Sequence, residues 1–105
     1  MYPKNVDGLI LSGDHKGWFI MIEPIGTDFE TYLILYATVP PSLNTFKLPC
    51  MGYDDWAADE ESIESNLRYR GIEVRWLTQD EVWNWIEVYL NKKKPQERGA
   101  RQFRM

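Results

Sequence analysis

An α+β domain is the fold this sequence predicts: a small antiparallel sheet in the order β-β-β-(β)-α-β-α, covered by two helices. Three observations carry that expectation. Apolar and β-branched runs crowd the first 40 residues and are joined by short links, which suit an antiparallel meander. Two later segments, 59–70 and 78–91, place apolar residues at helical spacing behind acidic or capping starts. Between them Ile72-Glu73-Val74-Arg75-Trp76 alternates apolar and charged residues, as a half-buried strand does.

Taken in order, Val6 to Ser12 is an apolar run that ends at the turn signal Gly13-Asp14. Gly17 to Glu23 is aromatic and β-branched and is stopped by Pro24, with Gly26-Thr27-Asp28 as the next turn. Thr31 to Val39 is the strongest strand, closed by Pro40-Pro41; Leu33, Leu35, Ala37 and Val39 share one face, and Tyr32, Ile34, Tyr36 and Thr38 the other. Residues 40–58 look irregular apart from a short strand at Thr45 to Leu48. Asp59 to Arg70 reads as a helix, with acidic residues in its first turn and basic ones in its last, Ile63 and Leu67 on one face, and Gly71 as its stop. Thr78 and Glu81 form a capping box opening a helix to about Asn91, whose core stripe is Val82, Trp83, Ile86, Tyr89 and Leu90, flanked by Trp85 and Val88.

At 105 residues and 12.5 kDa the chain makes one domain. Roughly 6,000 Å² stays exposed on folding against about 18,000 Å² for the extended chain, enough for a core without metal or disulfide staples. The single cysteine, Cys50, excludes an internal disulfide and a cysteine-based zinc site, and the single histidine, His15, excludes a two-histidine acid/base pair. No leader or membrane segment is legible, so a cytoplasmic location is expected. Residues 1–91 hold 15 Asp/Glu against 6 Lys/Arg, a net charge of −9, whereas residues 92–105 carry +5. The expected organisation is therefore a single domain over 1–91 and a basic mobile tail over 92–105, with a body that repels nucleic acid.

Few residues offer chemistry. Asp14-His15-Lys16 between two glycines reads as a solvated turn, and Cys50 as a small buried residue. Asp54 and Asp55 could offer oxygen ligands to a divalent cation, but the spacing matches no calcium loop. No phosphate loop or dinucleotide glycine pattern occurs, so no cofactor, no metal and no enzymatic activity are expected.

The informative segment is Gly52 to Glu64, with six carboxylates and two aromatic residues leading onto a helix start. One account is a solvated, dipole-favoured helix start with Tyr53 and Trp56 packed inward. The other is a recognition surface of aromatic anchors ringed by carboxylates, suited to a basic protein partner. Gly17-Trp18, the Tyr-Leu strand, Tyr53-Asp54-Asp55-Trp56, the acidic helix start and Glu73-Val74-Arg75-Trp76-Leu77 together resemble small bacterial immunity proteins of contact-dependent inhibition and other polymorphic toxin systems. The resemblance spans about residues 13–77 and departs at Phe29-Glu30, where a glycine pair often precedes the Tyr strand. It implies a cytoplasmic, non-enzymatic inhibitor of a cognate toxin domain, a nuclease by the charge of the surface. The expected contact residues are Tyr53, Asp54, Asp55, Trp56, Asp59, Glu60, Glu61 and Glu64, with Tyr32 and Tyr36 as second choices. The alternative is a non-enzymatic regulatory module that binds a peptide or forms a homo-oligomer.

Overall fold

The computed structural model describes residues 2–26, 31–46, 48 and 50–103, with side chains left aside at 44–46 and 93–103. Five antiparallel strands, β1 (Gly8–Ser12), β2 (Phe19–Ile25), β3 (Thr31–Ala37), β4 (Gly52–Ala57) and β5 (Glu73–Trp76), lie in the order β4-β3-β2-β1-β5. A 3₁₀ turn (Pro41–Phe46) follows β3, α1 (Glu60–Tyr69) connects β4 to β5, and α2 (Gln79–Phe103) ends the chain. The chain is thus an α+β fold with an antiparallel sheet and two helices. Among the described residues no helix is long and apolar enough to cross a membrane.

Because successive strand residues alternate sides, β2 and β3 sort their residues between two faces. Ile20 and Ile22 lie opposite Tyr36 and Ile34, and this face packs with Ile10, Ala57 and the α1 residues Ile63 and Leu67. On the reverse face Phe19 and Met21 lie opposite Ala37 and Leu35, and Trp85 of α2 meets Phe19 edge-on at 5.4 Å. Val82 and Ile86 of α2 close on Leu43 of the 3₁₀ turn. The α1 face is filled by large aliphatics, whereas on the reverse face Leu33, Leu35 and Ala37 stay only half-buried.

Several elements depart from expectation. The stretch 40–58, expected to be irregular, contains the strand β4, and the backbone near Thr45 is a 3₁₀ turn; the strand expected over Thr45 to Leu48 includes Lys47, outside the described residues. β2 does not stop at Pro24: β1 pairs with β2 only near Phe19 and Ile20, so Pro24 has a strand partner only in β3, where a missing N–H costs little. The α2 stripe is Val82, Ile86 and the half-buried Trp85 and Tyr89, with Trp83 and Leu90 largely exposed. α2 also runs beyond Asn91 to Phe103, so most of the segment expected as a basic mobile tail continues a helix. Its Lys, Gln, Glu, Arg and Ala residues favour that continuation, whereas Pro95 and Gly99 oppose it. The turn expected at 26–28 lies mostly outside the described residues.

The helix starts follow their sequence signals. Asp59 accepts the Ser62 N–H at 2.8 Å as the α1 cap, and Gly71 (φ 69°) supplies the left-handed exit. The Thr78/Glu81 box closes at 3.2 and 2.9 Å.

Candidate functional site

β4 is an edge strand, so the acidic segment is half strand and half helix start rather than a loop. Its register splits the expected contact residues. Tyr53, Asp55 and Ala57 lie opposite Tyr36, Ile34 and Tyr32 on the α1 side, whereas Asp54 and Trp56 lie opposite Leu35 and Leu33 on the reverse. Asp54 and Asp55 therefore point to opposite faces and cannot close on one cation. Among the described residues no group of three His, Cys, Asp or Glu gathers as a metal site.

The α1 side of β4 is stitched down. Arg70, just past α1, donates to the Tyr53 hydroxyl at 2.9 Å and to Asp55 Oδ2 at 3.1 Å. Asn66 adds a second donor to that Asp55 oxygen at 3.2 Å, and Asp55 Oδ1 accepts the Trp56 N–H at 3.0 Å. The guanidinium lies 5.5 Å from the Tyr36 ring centroid and 6.0 Å from that of Tyr53, while those two rings stack at 4.9 Å. His15 lies in the expected turn between exposed Asp14 and Lys16, but it is not solvated: at φ 59° its half-buried ring sits 4.5 Å from Trp18 and 5.1 Å from Tyr53. Burial pushes the Tyr36 phenol up to about 12, and its hydroxyl has no hydrogen-bond partner. Tyr32 and Tyr36 are buried beneath α1, so they fill the sheet and offer no contact surface.

The helix-start carboxylates divide the same way. Glu60 is held by Lys4 at 2.5 Å, a bond that lowers its carboxyl below the ordinary range. Glu64 accepts from the Tyr2 hydroxyl at 2.6 Å and from Arg68 at 2.5 Å, and is lowered by both. The Ser62 backbone bond lowers Asp59. Among the described side chains, Asp54 and Glu61 form no hydrogen bond or ion pair. Of the eight expected contact residues, the exposed and uncommitted ones are thus Asp54, Trp56 and Glu61, with Asp59 half-committed as a cap.

Two grooves flank β4. An open polar one of about 520 Å³ runs along α1 between Trp56, which is 63% exposed, and Tyr69, which is 92% exposed, with Asp59 and Glu61 on its wall. A second of about 400 Å³ lies on the reverse face, with Leu35, Val39, Leu43 and Leu48 inside and Glu23, Asp54 and an exposed Cys50 around them. Cys50 is therefore not the buried residue its neighbours suggested. Tyr69 was missed by the sequence argument; its position two residues past Leu67, off the Ile63/Leu67 stripe, was the available signal. The reverse groove had no signal, because it needs a chain reversal at Pro40-Pro41 to bring Leu43 and Leu48 beneath β3.

No family model, curated protein or solved structure matches this chain.

Proposed function

We propose that the chain is an immunity protein: a non-enzymatic inhibitor, acting in the cytoplasm, that binds a cognate toxin domain whose basic groove cuts nucleic acid. The observation that carries this reading is the surface at β4 and the α1 start. There the uncommitted Asp54 and Glu61 flank an exposed Trp56 on a body of net charge −9. An anionic surface with an aromatic anchor steers toward a cationic groove and competes with the polyanion the groove would otherwise hold.

The test is coexpression with the toxin domain encoded in the neighbouring reading frame, reading growth and binding kinetics. The parent is expected to restore growth, and Asp54→Lys/Glu61→Lys to slow association at least about tenfold at low salt. That difference should narrow at 1 M salt, where the Debye length is about 3 Å. If the parent neither binds nor protects, the reading is wrong. If the double variant binds and protects like the parent, the acidic surface is not the interface.

A further inference from the structure

The outer side of β4 is a strand edge left open between two grooves. The Thr38 N–H donates to the Met51 carbonyl at 2.9 Å, which fixes the alternation of the ladder. Tyr53, Asp55 and Ala57 then face β3 with their backbone groups, and Gly52, Asp54 and Trp56 face outward. The Trp56 N–H is occupied by the Asp55 side chain, which agrees with its facing away from β3. No described residue pairs with the outward groups of Gly52 and Asp54.

We infer that β4 receives an extended, lysine- or arginine-bearing segment of its protein partner as a sixth strand, with one of that segment's side chains entering the Leu35/Leu48 groove. This rests on the inhibitor reading and names the part of the toxin domain that is bound. Strand addition supplies affinity through main-chain bonds and specificity through pockets for alternate side chains. The groove suits the aliphatic stem of a basic residue, with apolar walls below and the carboxylates of Glu23 and Asp54 at its rim. Among the described residues neither carboxylate has a cationic partner.

Charge decides between this occupant and a second copy of the chain. An antiparallel β4–β4 pair centred on Asp54 sets that carboxylate against its own copy and Gly52 against Trp56. Like charges directly opposite are destabilising, and Glu23, Asp59 and Glu61 bring further negative charge to both sides. A cationic strand reverses the sign of each of these encounters.

The experiment uses the full chain and three capped heptapeptides: alternating Lys/Val, the same peptide with alternate backbone amides N-methylated, and alternating Glu/Val. Amide hydrogen exchange and titration by NMR are the readouts. Lys/Val is expected to slow exchange at Asp54 and shift the Gly52 and Asp54 amides, while N-methylation and the Glu/Val sequence each weaken binding at least about tenfold. Equal binding of the N-methylated peptide, or perturbation at β5 in place of β4, overturns the inference. So does a full chain that already dimerises with those amides protected. With the cognate toxin domain, Asp54→Pro, which removes the outward donor, is expected to weaken binding at least about tenfold beyond Asp54→Asn. If the toxin domain binds and is inhibited unchanged by both variants, strand addition is wrong and the inhibitor reading stands. If Lys/Val pairs with β4 but no toxin domain binds, the inhibitor reading is the one that fails. Should Asp54→Pro not fold, the N-methylated peptide still decides.

Discussion

At one edge of the sheet β5 presents four residues whose pairing with β1 shifts between Ile10 and Ser12; at the other, β4 presents six residues in unbroken register with β3. The β5 edge carries charges of both signs, Glu73 and Arg75, and Arg75 is ion-paired. Arg75 reaches Glu81 of α2 at 2.5 Å, and Ser12 donates to Glu73 at 3.3 Å. Tyr2 meets Trp76 edge-on at 6.4 Å, and the chain leaving β5 is tied by the Leu77 N–H to the Asp7 carbonyl at 2.9 Å. A short, irregular edge that carries charges of both signs is one that does not recruit strands. The β4 edge is longer, and its inward-facing charge, Asp55, is satisfied while its outward one, Asp54, is not. On the strand-addition proposal, charge of a single sign does not close this edge but selects its occupant, repelling a second copy and admitting a cationic strand.

Three substitutions break this contrast in different places. The largest effect is expected from Ile63→Ala. Ile63 lies fully buried in α1, the crossover joining the two edges, so its loss should cost about 2–5 kcal/mol in urea unfolding and loosen both edges together. A loss below about 1 kcal/mol would mean that α1 does not hold them. Gly8→Val comes next and acts chiefly at the β1–β5 seam. A Cβ at Gly8 would stand 2.4 Å from Val74 and 2.9 Å from Trp76, both β5 side chains, and 3.0 Å from Ile20 of β2. Overpacking of this kind should cost about 1–3 kcal/mol, with exchange rising in β1 and β5 before β4. If β4 amides loosen first, the edges are not independent.

Acid should act on the β4 end through α1. Glu60 has its carboxyl lowered from an ordinary value of 4.5 by the Lys4 bond, so this contribution to stability is present above that pH and is lost as pH falls through the lower, folded value. Lys4→Met should cost about 0.2–1 kcal/mol at pH 7 and flatten the stability loss below about pH 4.5. An acid limb unchanged by the substitution would show that the pair does not set it.

Much of this contrast was written in local patterns, and part of it was not. The caps at Asp59 and Thr78, the Gly71 exit and the two-faced alternation of β3 are short-range consequences of residue type, and they stand in the structure as read. β4 escaped because Tyr53-Asp54-Asp55-Trp56 lacks an aliphatic face. Its inner face contains Asp55, which is tolerable there because Arg70 and Asn66, far along the chain, satisfy it. In α2 the apolar residues 82, 83, 85, 86, 88, 89 and 90 surround most of the helix, so periodicity alone could not choose between Trp83 and Trp85. The choice was made by Phe19, which receives Trp85. Sequence reasoning also drew eight contact residues together; the strand period and the local ion pairs leave three of them uncommitted.

The smallest effect on folding is expected at the residue most suited to binding. Trp56 is 63% exposed on the open edge, and its backbone N–H is already taken by Asp55, so Trp56→Ser removes little buried area and no ladder bond. Its stability change should stay within about 0.5 kcal/mol by chemical denaturation, as for other surface positions. A tryptophan that anchors a partner behaves otherwise in the complex, where truncation costs at least about 2 kcal/mol, expressed mainly as faster dissociation. The comparison that sharpens the two-edge picture is therefore Trp56→Ser against Arg75→Ser on β5, each measured for unfolding and for dissociation of the proposed toxin partner. Trp56→Ser should leave unfolding in place and speed dissociation, whereas Arg75→Ser should leave dissociation unchanged and lose only the exposed Glu81 pair. A Trp56→Ser variant that unfolds easily would make this ring part of the core, and one that dissociates like the parent would move the interface off β4.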